Sequence, residues 1–365
     1  MSKNKLFLVA LAFVFALSAC AAPAAAPAAE EAAPAAEEAA PAAEEAAPAA
    51  EAVDLTKLTF ASCVKTIAAN WFLRLETGIK DYSADTGVTT FLCGPSKGDP
   101  AAQIGIIDEI IAQGVDGICN VPMGVEEHTA IHKKAMDAGI PVVLHEAPQA
   151  KYADYDVEAF DNCAYGEEMM KELASRMGEK GVYVSFVGSL TNDSHMIWQK
   201  CAYEYQLKTY PNMTRLGLYD SKEDTENSYQ IMKDLLKTNP EITGATGSSS
   251  GDPAGVGRAV EEAGLNDTIA VVGTSIPSNS GDLLKTGAVD LAMAWDPAAA
   301  GYACNRLLEL IVTGQPITDG MNLNMPAKYA GYEAVKLTTG PNGIKVVTGS
   351  AWIKITKDNM ADYPF

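Results

Sequence analysis

From Lys57 to Val312 the chain repeats one pattern: a short apolar run, a turn, then a stretch with apolar residues at helical spacing. Short, nearly continuous apolar runs are the signature of strands buried on both faces. When such runs alternate with helices of crossover length, the economical arrangement is a parallel sheet covered by helices. Runs at 57–63, 87–93, 115–121 and 140–144 alternate with helical stretches at 70–85, 101–113 and 126–138. Residues 152–160 break the rhythm and read as a crossing between domains. Alternation then resumes: helices at 163–177, 193–210, 225–238, 253–263, 278–285 and 297–312, and strands at 181–187, 214–219, 242–246, 269–273 and from Val289. Two tandem α/β units are therefore expected. The irregular tail, 322–365, carries a possible strand pair near Lys345-Val346 and Trp352 to Ile355.

The run 289–296 ends in a ring and a carboxylate, Trp295-Asp296, just before Pro297. In an open parallel sheet, ligands gather at the carboxyl ends of strands. An acidic group beside a flat ring suits a ligand that carries hydroxyls.

The N-terminus is of another kind. Lys3 and Lys5 precede an apolar run from Leu6 to Leu17, too short to span a bilayer, so residues 1–20 read as a signal peptide. Residues 21–54 are an acidic Ala/Pro/Glu tether. A seven-residue repeat starts at Glu30, Glu37 and Glu44, and Pro27, Pro34, Pro41 and Pro48 interrupt any helix. Such composition buries no core and is expected to be extended. About 310 residues remain, by the size of typical domains enough for two. The net charge of −20 argues against nucleic acid as a partner.

Cys63, Cys93, Cys119, Cys163, Cys201 and Cys304 follow Cys20 and match no CxxC motif. An exported chain permits disulfides, buried free thiols fit as well, and no pairing follows from the spacing. His128 and His132 share a helix face without a metalloprotease pattern, so neither metal nor cofactor is expected. The loop Gly247-Ser-Ser-Ser-Gly251 lacks both the Walker lysine and the GxSxG elbow. It reads as a hydroxyl-rich wall rather than a catalytic loop.

Several phrases resemble one family. Leu17-Ser-Ala-Cys20 is similar to a bacterial lipobox, which implies lipidation of Cys20. Gln113-Gly-Val-Asp-Gly-Ile118, Ala138-Gly-Ile-Pro-Val-Val143, Asn239-Pro-Glu-Ile-Thr-Gly244 and the stretch 263–273 resemble the ribose-type periplasmic binding proteins, solute-binding lipoproteins of ABC transporters. Within that family, Gly273-Thr-Ser-Ile-Pro277 and Ala294-Trp-Asp296 resemble the autoinducer-2 and rhamnose binding subgroup. The resemblance runs from Lys57 through Gly320.

It implies the type I fold, two Rossmann-like parallel-sheet domains joined by a three-segment hinge. The expected bounds are 55–150 plus about 297–322 for the first domain. The second takes 151–296 plus part of 323–365. Crossings are expected near 146–160, at Asp296-Pro297, and in or just after 320–326.

The family's ligand-binding positions map onto Lys65, Glu146, Asp193, Ser194 and Asp296. Glu146 stands where autoinducer-2 binders have aspartate, Ser194 has lost the family's amide, and the loop around Lys65 is longer. These departures point away from autoinducer-2 itself and leave a general sugar ligand. From residue chemistry, Asn70, Trp71, Trp198, Ser249, Ser250, Asp252 and Ser275 join the candidate set. Each has a plainer reading. Asp193, Asp252 and Asp296 suit helix caps, Glu146 a loop salt bridge, and Trp71 and Trp198 the core.

The expected function is an extracytoplasmic receptor, lipid-anchored to the cell membrane. It would capture a small polyhydroxylated ligand by hinge closure and deliver it, as a monomer, to the transmembrane subunits of an ABC permease. A sensory receptor for chemotaxis or a histidine kinase is the alternative. A secreted α/β enzyme lacks its motifs, and a DNA-binding repressor of this fold would carry a basic helix-turn-helix where the tether stands.

Overall fold

A computed structural model describes residues 53–365. Residues 1–20, with Cys20, and nearly all of the tether at 21–54 lie outside the described residues.

In chain order the elements are β1 (Thr59–Cys63), α1 (Asn70–Thr86), β2 (Thr89–Cys93), α2 (Pro100–Gln113), β3 (Gly117–Asn120), α3 (Val125–Asp137), β4 (Val142–His145) and β5 (Tyr155–Glu158). Then come α4 (Asn162–Met177), β6 (Gly181–Val187), α5 (Asp193–Thr209), β7 (Met213–Asp220), α6 (Thr225–Thr238), β8 (Ile242–Gly247) and α7 (Asp252–Glu262). The chain finishes with β9 (Ala270–Thr274), α8 (Pro277–Thr286), β10 (Leu291–Ala294), α9 (Pro297–Val312), β11 (Lys336–Thr339), β12 (Lys345–Thr348) and β13 (Ile353–Ile355).

The strands form two sheets, ordered β11-β12-β5-β4-β3-β1-β2 and β13-β10-β9-β8-β6-β7. Pairing is parallel except for β11 on β12 and β13 on β10. This is the two-lobed α/β architecture expected from the alternation.

Three local readings change. Tyr155–Glu158, placed by sequence in the crossing, is a strand of the first sheet, parallel to both β4 and β12. The chain thus leaves the first sheet after Glu158. The third passage falls at 349–352, between β12 in the first sheet and β13 in the second, not at 320–326. The tail strands near Lys345 and Ile353 do not pair with each other: each adds to a different sheet.

Local chemistry sets the helix starts. Asp99, Asp161, Asn192, Asp224 and Asp296 each accept a backbone N–H in the first turn of the helix that follows. Pro follows the cap in α2 and α9, where its missing N–H costs nothing.

Helices α1 and α9 approach closely because small residues face each other. A Cβ at Gly78 would collide with the Ala298 carbonyl, and one at Gly301 with that of Leu75. Close packing of this pair sets the N-terminus of α1, with Trp71 and Arg74, beside the start of α9 at Asp296.

An aromatic cluster lies where the chain passes between sheets. Phe160 stacks on Tyr165 at 4.1 Å, and Trp295 meets Trp71, Phe160 and Trp198 edge-on at 4.6, 5.1 and 5.8 Å. Cys163 and Cys201 form a disulfide that joins α4 to α5. Cys63, Cys93, Cys119 and Cys304 are free thiols in the first lobe.

Candidate functional site

The carboxyl ends of strands from both sheets meet at one cavity of about 20 Å³. Lys65, Trp71, Phe72, Glu146, His195, Glu223, Ser248, Ser250, Thr274 and Trp295 line it. Lys65 follows β1 and Glu146 follows β4, in the first lobe. Glu223 follows β7, Ser248 and Ser250 follow β8, and Thr274 ends β9, in the second. Trp295, directly after β10, and Trp71, at the start of α1, form the apolar wall.

Lys65 is the hub. It is buried, donates to Glu146 Oε2 at 2.5 Å, and lies 3.3 Å from Glu223 Oε1. Burial works against its charge, but the Glu146 and Glu223 carboxylates outweigh it, and its pKa rises above the ordinary lysine value. Burial likewise opposes the charge on Glu146. The Lys65 charge and its hydrogen bond prevail, and the Glu146 pKa falls below the usual carboxylate range. Glu223 behaves the same way: the Lys65 charge, with the 2.6 Å hydrogen bond from Ser249 Oγ, overcomes its burial.

His195 is neutral at physiological pH, pushed to about 4 by burial and by the Lys65 charge. Its Nδ1 accepts the Gly188 N–H at 3.2 Å, so the neutral ring carries its proton on Nε2, 3.7 Å from Glu146 Oε2. His145 has the opposite tautomer. Its Nδ1 donates to the Val157 carbonyl at 2.6 Å, leaving Nε2 as an acceptor 3.9 Å from Glu146 Oε1. Burial lowers its pKa too.

The backbone marks the same residues. Glu146 and Glu223 are non-glycine residues on left-handed backbone, with φ of 61° and 55°. Such conformations cost on the order of 1–3 kcal/mol and persist where surrounding structure enforces them, often at functional sites.

Of the residues proposed from sequence, Lys65, Trp71, Glu146 and Ser250 come together around this cavity. The others stand elsewhere. Asn70 donates across the cleft to the Ser278 carbonyl and Asn279 Oδ1 at 3.2 and 3.0 Å. Ser249 lines an outer hollow of about 570 Å³, which shares Glu223 and Ser250 with the inner cavity. Asp193 accepts the Gln149 backbone N–H at 2.6 Å and the Gln149 amide, a link between the lobes. Ser194 donates to Glu158 at 3.2 Å, and Trp198 is core, with its indole N–H on Asn162.

Asp252 is fully buried and accepts from the backbone of Ser248 and Ser249 and from Ser228, so it shapes the serine loop from behind. Ser275 bonds the Ser250 carbonyl at 2.8 Å and Ser280 at 2.6 Å. Asp296 is held by Arg74 in a two-point ion pair at 2.8 and 2.7 Å and caps α9 through Ala298 N. It lines a separate hollow with Trp352 and Phe365.

Sequence reasoning missed Glu223, and left His195 undecided. The signal for Glu223 was its place after a strand, in the run Ser221-Lys-Glu-Asp224, which reads as a solvated turn.

The family model described as "Periplasmic binding protein domain" matches residues 60–316, and the chain belongs to that family. The D-allose-binding periplasmic protein of Escherichia coli (strain K12) is 24% identical over 258 residues, covering 68% of this chain and 83% of that protein. In fold, the chain is similar to LsrB from Clostridium saccharobutylicum, solved in complex with AI-2 (TM-score 0.77, 19% identity, 84% of this chain and 100% of that one). It is also similar to a solute-binding protein from Clostridium phytofermentas with bound L-rhamnose (TM-score 0.76, 18% identity, 84% and 98%).

Proposed function

We propose that the chain is the extracytoplasmic receptor of an ABC transporter. It captures a small polyhydroxylated ligand, a sugar, deoxysugar or autoinducer-2-like compound, and hands it to a permease. The observation that carries this reading is the Lys65 site itself. Lys65 and Glu146 from one lobe face Glu223 and His195 from the other, against the wall of Trp71 and Trp295. Carboxylates accept strong hydrogen bonds from hydroxyls, lysine donates them, and an indole face covers C–H surface.

At about 20 Å³ the cavity admits little more than one water. Ligand pockets in general run to roughly 300–1,000 Å³. Entry therefore requires the lobes to part about their three connecting segments, and closure then completes contacts from both sides. Relatives in the family are binding proteins rather than enzymes, among them a D-allose-binding periplasmic protein and a D-apiose import binding protein. A lipid on Cys20 and the acidic tether would hold the receptor at the membrane as a monomer, with no metal or cofactor.

A thermal-shift panel across pentoses, deoxyhexoses, hexoses, polyols and autoinducer-2 tests the proposal. A ligand that binds the native state alone raises apparent stability. At least one compound is expected to do so, and a flat response across the panel overturns the sugar reading.

A further inference from the structure

Buried acceptors crowd the inner cavity. Glu223 Oε1 is buried and, among the described residues, has no hydrogen-bond partner, with Lys65 Nζ at 3.3 Å in poor alignment. His145 Nε2, an acceptor in its neutral tautomer, is likewise buried without a partner. Glu146 Oε1 has that same acceptor nitrogen as its neighbour at 3.9 Å. Against these acceptors the walls offer two donors without a close partner, Trp295 Nε1 and the His195 Nε2–H, 3.7 Å from Glu146 Oε2.

Charge points the same way. Two carboxylates, Glu146 and Glu223, face the single ammonium of Lys65, and both neighbouring imidazoles are neutral. One negative charge is left over in a buried place, where an uncompensated charge costs several kcal/mol. Burial raises the pKa of Asp156, to about 7, and that of Glu158, and a carboxyl supplies no positive charge in either protonation state. The N-termini of α5 and α6, which face the cleft, already have side-chain acceptors in Asn192 and Asp224.

A neutral sugar hydroxyl brings one donor and two acceptor lone pairs to such a place. A protonated amine brings three donors, no acceptor and the missing positive charge. We propose that the ligand is an aminated polyol, an amino sugar or aminocyclitol, whose ammonium is held between Glu223 and Glu146. Its hydroxyls then take Trp295 Nε1, Ser250 and Thr274. The proposal rests on the receptor reading above and names the ligand class for the same site. Glu223 is accordingly the residue that sets specificity for charge.

The test is calorimetric titration of the full chain near neutral pH with matched compounds. These are hexoses against their 2-amino-2-deoxy forms, inositols against aminoinositols, and the N-acetyl derivatives as neutral controls. Hydrogen bonds to charged groups predict that an amine binds about 10- to 100-fold tighter than its hydroxyl parent. The N-acetyl form should lose that advantage, and Glu223→Gln should bring amine and parent to near parity while the parent still binds. Hydroxyl parents that bind as tightly as the amines overturn the amine proposal and leave the receptor reading standing. No binding by any matched compound overturns the amine proposal, and the receptor reading is then decided by the thermal-shift panel. The wild-type comparison decides the question even where the substituted chain does not fold.

Discussion

Glu146 and Glu223 reach Lys65 from opposite lobes, and both do so from left-handed backbone, with φ of 61° and 55°. One buried ammonium thus ties two strained carboxylates, so the pair and the lysine form a single electrostatic unit that spans the cleft. Removing the lysine strands both carboxylates.

Lys65→Met should therefore destabilise strongly. It leaves two carboxylates buried without a counter-ion, and breaking a buried pair in this way costs about 3–5 kcal/mol. Urea unfolding near neutral pH should show this loss. It should shrink as pH falls toward 4, where the stranded carboxyls take up protons. A loss independent of pH would assign the effect to packing.

The pH profile of stability has a definite sign. Glu146 and Glu223 are depressed in the folded state, so they support it above their unfolded value of ~4.3, and that support is lost as pH falls through their folded values. Asp193 and Asp252 are raised by burial, to about 6 and about 7. The folded state thus binds more protons than the unfolded chain from ~3.9 upward, and stability declines as pH rises to those values. Maximum stability is expected near pH ~4, where the two trends cross, with a lower melting temperature at pH ~8. Asp252→Asn should flatten the decline, and a wild-type profile rising steadily to pH 8 would contradict the burial argument.

Asp296→Ala should act on stability. Arg74 occupies both of its oxygens and Ala298 N shares one. Loss of a cap costs about 0.5–2 kcal/mol, and release of a half-buried Arg74 adds to it. Affinity for the cavity ligand should change little, because Asp296 stands outside it. Denaturant titration and calorimetry on the same preparation separate the two effects.

Reduction of Cys163–Cys201 should lower stability by about 2–4 kcal/mol, as expected when a closed loop of this kind is opened. Melting with and without reductant measures this. The free first-lobe cysteines Cys63, Cys119 and Cys304 are buried and should resist alkylation until the chain unfolds.

The alternation of strand and helix was legible because each buried strand is a plain apolar run and each helix begins with its own cap. Tyr155-Asp-Val-Glu158 escaped that logic: two of its four residues are carboxylates, and only tertiary structure reveals that they are buried. The tail escaped it too, since Lys345–Thr348 and Ile353–Ile355 are too short to declare their partners. At the site, Lys65 and Glu146 were reached through resemblance, and Trp71 and Ser250 through residue chemistry. Glu223 was hidden because a charged residue in a turn looks solvated, and its burial depends on a lysine 158 positions earlier that the fold brings to 3.3 Å.

The most direct measurement is calorimetric titration of the strongest compound from the thermal-shift panel into wild type and Glu146→Gln. One ligand should bind per wild-type chain. Affinity should fall by about 10- to 100-fold in Glu146→Gln, as the loss of a charged hydrogen-bond partner implies. Unchanged affinity in a folded Glu146→Gln chain would place the ligand away from Lys65 and contradict the receptor site described here.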